Sequence, residues 1–411
     1  MQIKQAIQNI IGTTAYLGTQ WVMLISVVHM MDYDYAGMFS LAITITSLFF
    51  IISSFGLRQY QVTDINGEFT NIQYLIARTV SITIGFFLCM VFLFFSSYES
   101  LQRKVVLLYM LYKSLESASE LIYGYYQNDG RFDFICISLV LKGLLQLGAF
   151  LLGLWYCVDL CVALIFMCIA ILGVLVLYDL PRIKRKIIPI KPMCRPDYKH
   201  LLRLLYKCSP MVVVLVTTPL LQAIPRIYFE AKFSSELFGV FSSVAAPTVI
   251  FTVLVSSALI PFLPKFTEYY ETNDYKRLAR LIYGSIGITI GFGFFSLMAL
   301  LLLGEWALVV LYGEDIRPWF EIIYSITISI ILTSVLSCFV SLFIAVRKTA
   351  MLAVILLAGC LICYITTPSL ITRFEMDGIS YAMITGQVAS ILALTVLAMG
   401  ILSKVRSKTM C

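Results

Sequence analysis

Stretches of about 20 mostly apolar residues, each long enough to cross the hydrocarbon of a bilayer as a helix, follow one another along almost the whole chain. Twelve are read, at 8–31, 35–57, 73–96, 104–126, 132–155, 158–180, 208–230, 238–262, 281–303, 319–345, 349–370 and 379–402. Inside hydrocarbon every backbone polar group must be satisfied within the fold, which leaves only helices or closed barrels. A barrel would show short alternating segments instead of long apolar runs, so the chain is expected to be an all-α membrane protein. Composition agrees: 60% of the 411 residues are hydrophobic and 13% are charged. The longest stretch outside the runs is 181–207. No soluble catalytic domain fits in that length, and the chain is not expected to be an enzyme.

The cations set the orientation. With a cytoplasmic N-terminus, 21 of the 30 Lys and Arg residues fall on the inner side, including Arg58, Arg131 and the run from Arg182 to Lys207. Arg103, Lys104, Lys232, Arg317 and Arg373 fall outside, and Arg78, Lys113, Lys142 and Arg226 lie within or at the ends of spans. The positive-inside bias then places both termini in the cytoplasm. The net charge of +7 reflects this bias and attraction to anionic headgroups, not nucleic-acid binding. The first span lacks a small-residue cleavage site after a short apolar core and reads as an uncleaved anchor.

A gap-free shift of 202 residues superposes the two halves of the sequence. Gly37, Phe39 and Ser40 fall on Gly239, Phe241 and Ser242, Ala77-Arg78 falls on Ala279-Arg280, and twelve identities occur within 56 positions. The expected architecture is therefore twelve transmembrane helices in two pseudo-symmetric six-helix lobes around a central cleft. The lobes span 1–180 and 208–411, joined by a cytoplasmic linker at 181–207. In the linker, Leu201, Leu202, Leu204 and Leu205 oppose Lys199, Arg203 and Lys207, a pattern read as an amphipathic helix in the inner headgroup layer.

Charges inside spans are costly and mark sites. Tyr109 to Tyr126 carries Lys113, Glu116 and Glu120. At about 100° per residue, Lys113 and Glu120 lie about 20° apart, with Glu116 and Tyr109 within about 60°. That face cannot look at lipid. Either an ion pair pins two helices together there, or a polar pathway passes. Ser138, Lys142 and Gln146 form a stripe on the fifth span, and an unpaired cation there needs an acidic partner from another helix or water around it. The seventh span carries Pro210, Pro219 and Pro225, then Arg226 and Glu230. Bending near Pro219 or Pro225 would make that span a gate.

The seven intramembrane cysteines are read as small apolar groups, with no disulfide and no metal site. Nor does any glycine loop cradle a nucleotide. No cofactor is expected. Glu116 and Glu120 are candidates for coupling to a proton or sodium ion.

FGLRQYQVTD at 55–64 and KSLESASELIYGYYQNDGRFDFICISLVLKG at 113–143 resemble the polysaccharide transporter branch of the multidrug/oligosaccharidyl-lipid/polysaccharide exporter superfamily. Its Wzx-type members are O-antigen and capsule-unit flippases. The resemblance implies a multi-pass protein of the bacterial inner membrane. It would move an undecaprenyl-diphosphate-linked oligosaccharide from the cytoplasmic to the periplasmic leaflet by alternating access, as a monomer, among membrane lipids and beside a repeat-unit polymerase. Cations would hold the diphosphate while tyrosine faces stack on sugar rings. Lys113, Lys142 and Arg226, with Tyr109 and Tyr112, are the candidate binding residues, and Arg58 and Arg78 are expected nearer the inner entrance as first contacts. The alternative is an ion-coupled exporter of cationic small molecules, which would present an apolar aromatic pocket with unpaired carboxylates.

A reporter fused at Lys191 is expected on the cytoplasmic side. A periplasmic signal there would overturn the orientation.

Overall fold

The computed structural model describes residues 2–64, 68–182, 198–248, 274–346 and 348–406, together with Phe266, Glu268–Tyr270 and Thr272. Among them the regular structure is helical throughout. The order is α1 (Gln2–Met30), α2 (Tyr33–Ser54), α3 (Leu57–Thr63), α4 (Asn71–Phe95), α5 (Ser100–Asn128), α6 (Phe132–Cys157), α7 (Leu160–Val174), α8 (Tyr198–Lys232), α9 (Ser235–Ala245), α10 (Tyr275–Tyr312), α11 (Ile322–Ala345) and α12 (Thr349–Arg406). Helix ends fall where short polar side chains satisfy the free N–H groups. Asp32 caps α2 through the N–H of Tyr35, Asp159 caps α7, and Thr70 with Gln73 forms a capping box before α4.

Nine helical stretches among the described residues are long and apolar enough to span. The remainder of the expected twelve is accounted for by three facts. The fourth span, α5, carries too many charges to qualify on composition. Most of the eighth, 249–262, lies outside the described residues. The eleventh and twelfth run together as α12, interrupted at Glu375 with φ 48° and ψ −119°. Gly359 beside Gly386, Thr366 bonded to Thr385, and Ile371 beside Gly378 occur in opposite chain order, so α12 is an antiparallel hairpin that turns there.

The chain divides into two compact units, Met1–Val216 and Thr217–Cys411. In the first, α1 packs along α6, α2 along α5 and α4, and α5 along α7. The α1–α6 approach depends on glycine: a Cβ on Gly12 would lie 3.0 Å from the Cα of Cys136, and one on Gly143 would lie 3.2 Å from Thr19 Oγ1. In the second, α11 packs against α12 and α10 against α11. Gln387 there donates to Thr333 Oγ1 at 2.7 Å, and the thiols of Cys360 and Cys363 reach the carbonyls of Thr217 and Leu221. Rings such as Phe94 and Phe95, more than three-quarters exposed, suit contact with lipid.

The unit boundary falls later than the sequence suggests, for a specific reason. Residues 198–207 do not form a separate surface helix but the first turns of α8. Leu204 is fully buried in a cluster with Leu57, Phe69, Tyr74, Tyr123 and Tyr126, and Leu201 and Leu205 pack against it. Leu201, Leu204 and Leu205 of the apolar face expected to meet headgroups therefore meet protein instead, while Leu202 stays exposed. Lys207 donates to Glu68 at 2.5 Å, and Arg203 lies 3.5 Å from the same carboxylate. The rest of the expected linker, 183–197, lies outside the described residues.

The hydrogen bond from Lys207 holds the Glu68 carboxyl below its ordinary range. A depressed carboxylate contributes stability above that range and loses it as pH falls through the folded value. Glu68→Gln is therefore expected to speed amide exchange over 198–208 and leave α6 unchanged. Wild-type protein should show the same loosening only in acid. Unaltered exchange over 198–208 in the variant would remove this latch.

Candidate functional site

Helix α5 organises the first unit's polar interior. Its Glu116, Glu120 and Tyr123, at i, i+4 and i+7, share one face and line a cavity of about 230 Å³ with Asn9, Thr13, Tyr16, Arg58 and Lys142. Seven charged side chains gather around this helix: Lys113, Lys142, Arg58 and Arg78, against Glu116, Glu120 and Asp179. How they pair decides what the cavity can bind.

Lys142 is not a free cation awaiting an anion. Its Nζ donates to Asp179 Oδ2 at 2.6 Å and to the Tyr123 hydroxyl at 2.8 Å, and that hydroxyl lies 2.9 Å from Ser138 Oγ. Lys142 is 1% exposed and Asp179 is 0% exposed. Two charges this deeply buried are retained only because each satisfies the other. Its side chain touches the cavity wall with its charge already paired to Asp179. Of the two surroundings the sequence allows for Lys142, an acidic partner from another helix or water, the structure shows the first, in Asp179. At the last turn of an apolar run beside Pro181, Asp179 reads as a boundary residue. A π-helical turn over Leu175–Asp179 brings it inward, and Tyr126 donates to its backbone carbonyl at 3.1 Å.

Lys113 is likewise paired, with Glu116 at 2.7 Å, and lies over the rings of Phe50, Tyr109 and Tyr112 at 5.2–5.8 Å. Tyr109 is buried and packs edge-on to Phe39. The Tyr112 hydroxyl meets Tyr16, Gln20 and Gln146. Gln20 can only donate its N–H and the Gln146 oxygen can only accept, so Tyr112 accepts from Gln20 and Tyr16 and donates to Gln146, which uses its full capacity. Tyr112 therefore joins α1, α5 and α6, and Tyr109 packs against α2; neither lines the cavity, whereas Tyr16 and Tyr123 do.

Arg58 and Arg78 are paired differently. Arg58 Nη1 lies 4.0 Å from Glu120 Oε1, too far for a hydrogen bond, while its Nη2 donates to Gln127 at 3.2 Å. Arg78, 2% exposed, donates Nη1 to the Ser53 carbonyl at 3.2 Å and to Ser117 Oγ at 2.9 Å. Its Nε and Nη2 have no hydrogen-bond partner. It lies within electrostatic reach of both Glu120 and Arg58. Arg78 thus sits between α2, α4 and α5, not at an open entrance as expected from sequence. With Lys113 and Lys142 neutralised by Glu116 and Asp179, two guanidiniums share one carboxylate, and the group carries one net positive charge.

The remaining sequence candidates lie in α8, beyond the unit boundary. α8 runs continuously through Pro219 and Pro225, so neither proline breaks it. Arg226 buries its Nε without a hydrogen-bond partner, and Glu230, one turn on, accepts from Ser235 at 2.9 Å.

No family model matches the chain. Solved structures match it nearly end to end. A mutant of the MATE transporter VcmN from Vibrio cholerae has a TM-score of 0.66 at 11% identity, over 98% of this chain and 96% of that one. A MOP-superfamily transporter from Pyrococcus furiosus, described as having a binding pocket of reversed polarity, has a TM-score of 0.68 at 11% identity over the same shares. An inward-facing multidrug resistance MATE family transporter has a TM-score of 0.69 at 12% identity, over 98% and 99%. The fold is that of MATE and MOP-superfamily transporters. Among curated proteins, the capsular polysaccharide biosynthesis protein CapF of Staphylococcus aureus is 24% identical over 296 residues, 72% of this chain and 74% of that protein.

Breaking a buried pair strands a charge and costs about 3–5 kcal/mol, whereas replacing both partners by apolar groups of similar volume is often neutral. Lys142→Met and Asp179→Leu are each expected to lower the melting temperature of the detergent-solubilised protein sharply, and the double variant to recover most of the loss. A double variant as unstable as the sum of the two singles would show that the side chains are not coupled.

Proposed function

We propose that this protein flips an undecaprenyl-diphosphate-linked oligosaccharide across the cytoplasmic membrane of a bacterium by alternating access, supplying a surface-polysaccharide pathway and handing its product to a repeat-unit polymerase. The observation that carries this reading is the residual positive charge around the cavity, with Arg58 on its wall beside the loosely held Glu120 and Arg78 buried within electrostatic reach. In a site shielded from bulk water such an excess repels cations and attracts anions far more strongly than on a surface. Guanidiniums are the side chains best matched to phosphate oxygens. The polar wall, with Asn9, Thr13, Tyr16 and Tyr123, supplies the donors, acceptors and ring faces that sugars use. The similarity to a capsular polysaccharide biosynthesis protein supports the same substrate class.

Export of cationic small molecules is the second reading, favoured by the fold that the chain shares with multidrug transporters. The fold alone does not choose between them, since one MOP-superfamily neighbour is described with a pocket of reversed polarity. The charge excess does weigh against a cation. Glu116 and Asp179 are occupied by lysines, leaving Glu120 as the carboxylate of this group with the weakest partner. Proton or sodium coupling through Glu120 fits either reading.

The test is reconstitution in proteoliposomes carrying the lipid-linked oligosaccharide in both leaflets, followed by lectin or glycosidase access from outside. Protein-containing vesicles are expected to expose nearly all the substrate with time and empty vesicles about half. Arg58→Gln should slow the exchange by about tenfold or more. Absence of flipping, together with gradient-driven efflux of ethidium, would replace this reading with the second.

A further inference from the structure

Of the three carboxylates around α5, Glu120 is the anomalous one. Glu116 and Asp179 each hold a lysine at 2.6–2.7 Å. Glu120 has only Arg58 at 4.0 Å, although it lines the cavity and lies within electrostatic reach of Arg78. Arg58 meanwhile spends Nη2 on the neutral Gln127, and Arg78 keeps Nε and Nη2 buried without any partner. A guanidinium whose donors are left unmade inside a protein is held at a cost. Here the Arg58 guanidinium on the cavity wall faces a carboxylate to which it is not bonded, while Arg78 lies buried outside the lining.

We infer that Glu120 is a resident stand-in for substrate phosphate: it occupies the seat beside Arg58 while the cavity is empty and gives way when a diphosphate arrives. The inference rests on the flippase reading and names the part of the site that sets its affinity. A carboxylate carries one charge and two acceptor oxygens. A diphosphate carries more of both, so it can use donors on Arg58 that Glu120 leaves unmade. Because Glu120 competes from within the chain, the site binds diphosphate less tightly than Arg58 would alone. On release Glu120 returns to the seat, and the empty state does not leave Arg58 uncompensated in a shielded cavity. An opposite charge at this range typically shifts a neighbour's equilibrium by at least a factor of about ten.

The test is binding of inorganic pyrophosphate to the detergent-solubilised full chain, followed by calorimetry or by competition with a labelled lipid diphosphate. Glu120→Gln is expected to bind pyrophosphate about tenfold more tightly than wild type, and Arg58→Gln to bind it at least about tenfold more weakly. Glu305→Gln, which removes the same charge from the surface of the second unit beside Arg317, should leave binding unchanged. That control separates a local seat from overall charge. Phosphatidylglycerol added to the micelles should fail to compete; effective competition would assign the seat to a lipid headgroup and overturn the diphosphate assignment. Equal affinity in wild type and Glu120→Gln would overturn the stand-in role even where vesicle flipping proceeds normally. Tighter pyrophosphate binding by Glu120→Gln in a protein that flips nothing would instead uphold the seat and sink the flippase reading. Arg78→Gln is not used alone, because Arg78 also holds α2 to α5 through Ser53 and Ser117.

Discussion

A charge that cannot face hydrocarbon must find protein or water, and the first unit is arranged around that requirement. Helix α5 crosses the membrane region with Lys113, Glu116 and Glu120 on one side, so it cannot lie at the periphery. The neighbouring helices surround it: α2 and α4 on one flank, α6 and α7 on the other. Each contributes groups that meet its polar side. Arg78 from α4 donates to Ser117 and to the carbonyl of Ser53 from α2, while Ser138 and Lys142 from α6 reach Tyr123. The packing of the lobe thus follows from the placement of polar groups as much as from apolar burial. This is expected where lipid is as apolar as any leucine and helices gain little by hiding apolar surface from it.

Two kinds of charged residue result, with different physical meanings. Lys142 with Asp179 and Lys113 with Glu116 are close pairs with short contacts, and their charges cancel at the range of a substrate. The first ties α6 to the turn that follows α7, the second lies within α5, and both contribute little field beyond themselves. Arg58 and Arg78 are under-compensated and supply the field of the cavity. A buried cation is therefore informative about ligands only after its partner has been found. By this criterion the most deeply buried lysine of the unit is scaffolding, whereas an arginine almost a quarter exposed is the better candidate for contact with substrate.

Much of the fold was legible in the sequence because hydrocarbon imposes a length and a composition on every span. The α5 charges were legible for the same reason: they violate that composition. What escaped sequence reading depended on local backbone geometry. Asp179 sits at the edge of its apolar run, and only the π-helical turn over Leu175–Asp179 reveals it as the partner of Lys142. The face of Leu201, Leu204 and Leu205 has the pattern of a membrane-surface helix, yet the periodicity is identical for a helix docked on protein, and here Tyr74 and Tyr126 cover it. α8 runs on through Pro219 and Pro225, since a proline in a membrane helix can have its freed carbonyl satisfied locally. Arg78 illustrates the reverse case. Its place in the repeated Ala-Arg pair singled it out, but the pair says nothing of whether the guanidinium faces water or a carbonyl such as that of Ser53.

On the flippase reading, the size of the charge excess matters as much as its sign. A site with several unpaired cations would hold a diphosphate too tightly to release it, and one with none would not draw it from the headgroup layer. Passage requires binding strong enough to admit a ligand and weak enough to let it leave. Four cations against three carboxylates around α5 leave a single positive charge, and the Arg58–Glu120 separation of 4.0 Å is loose enough to be exchanged rather than broken at great cost. The tight pairs contribute to that balance by removing Lys113 and Lys142 from it. Without Asp179 or Glu116 the excess would rise to two, and a cavity of about 230 Å³ is small enough for every added charge to act on the whole of it. On the flippase reading, the buried pairs and the under-compensated arginines are thus two parts of one electrostatic design, in which most of the charge is cancelled so that a small, releasable remainder can act.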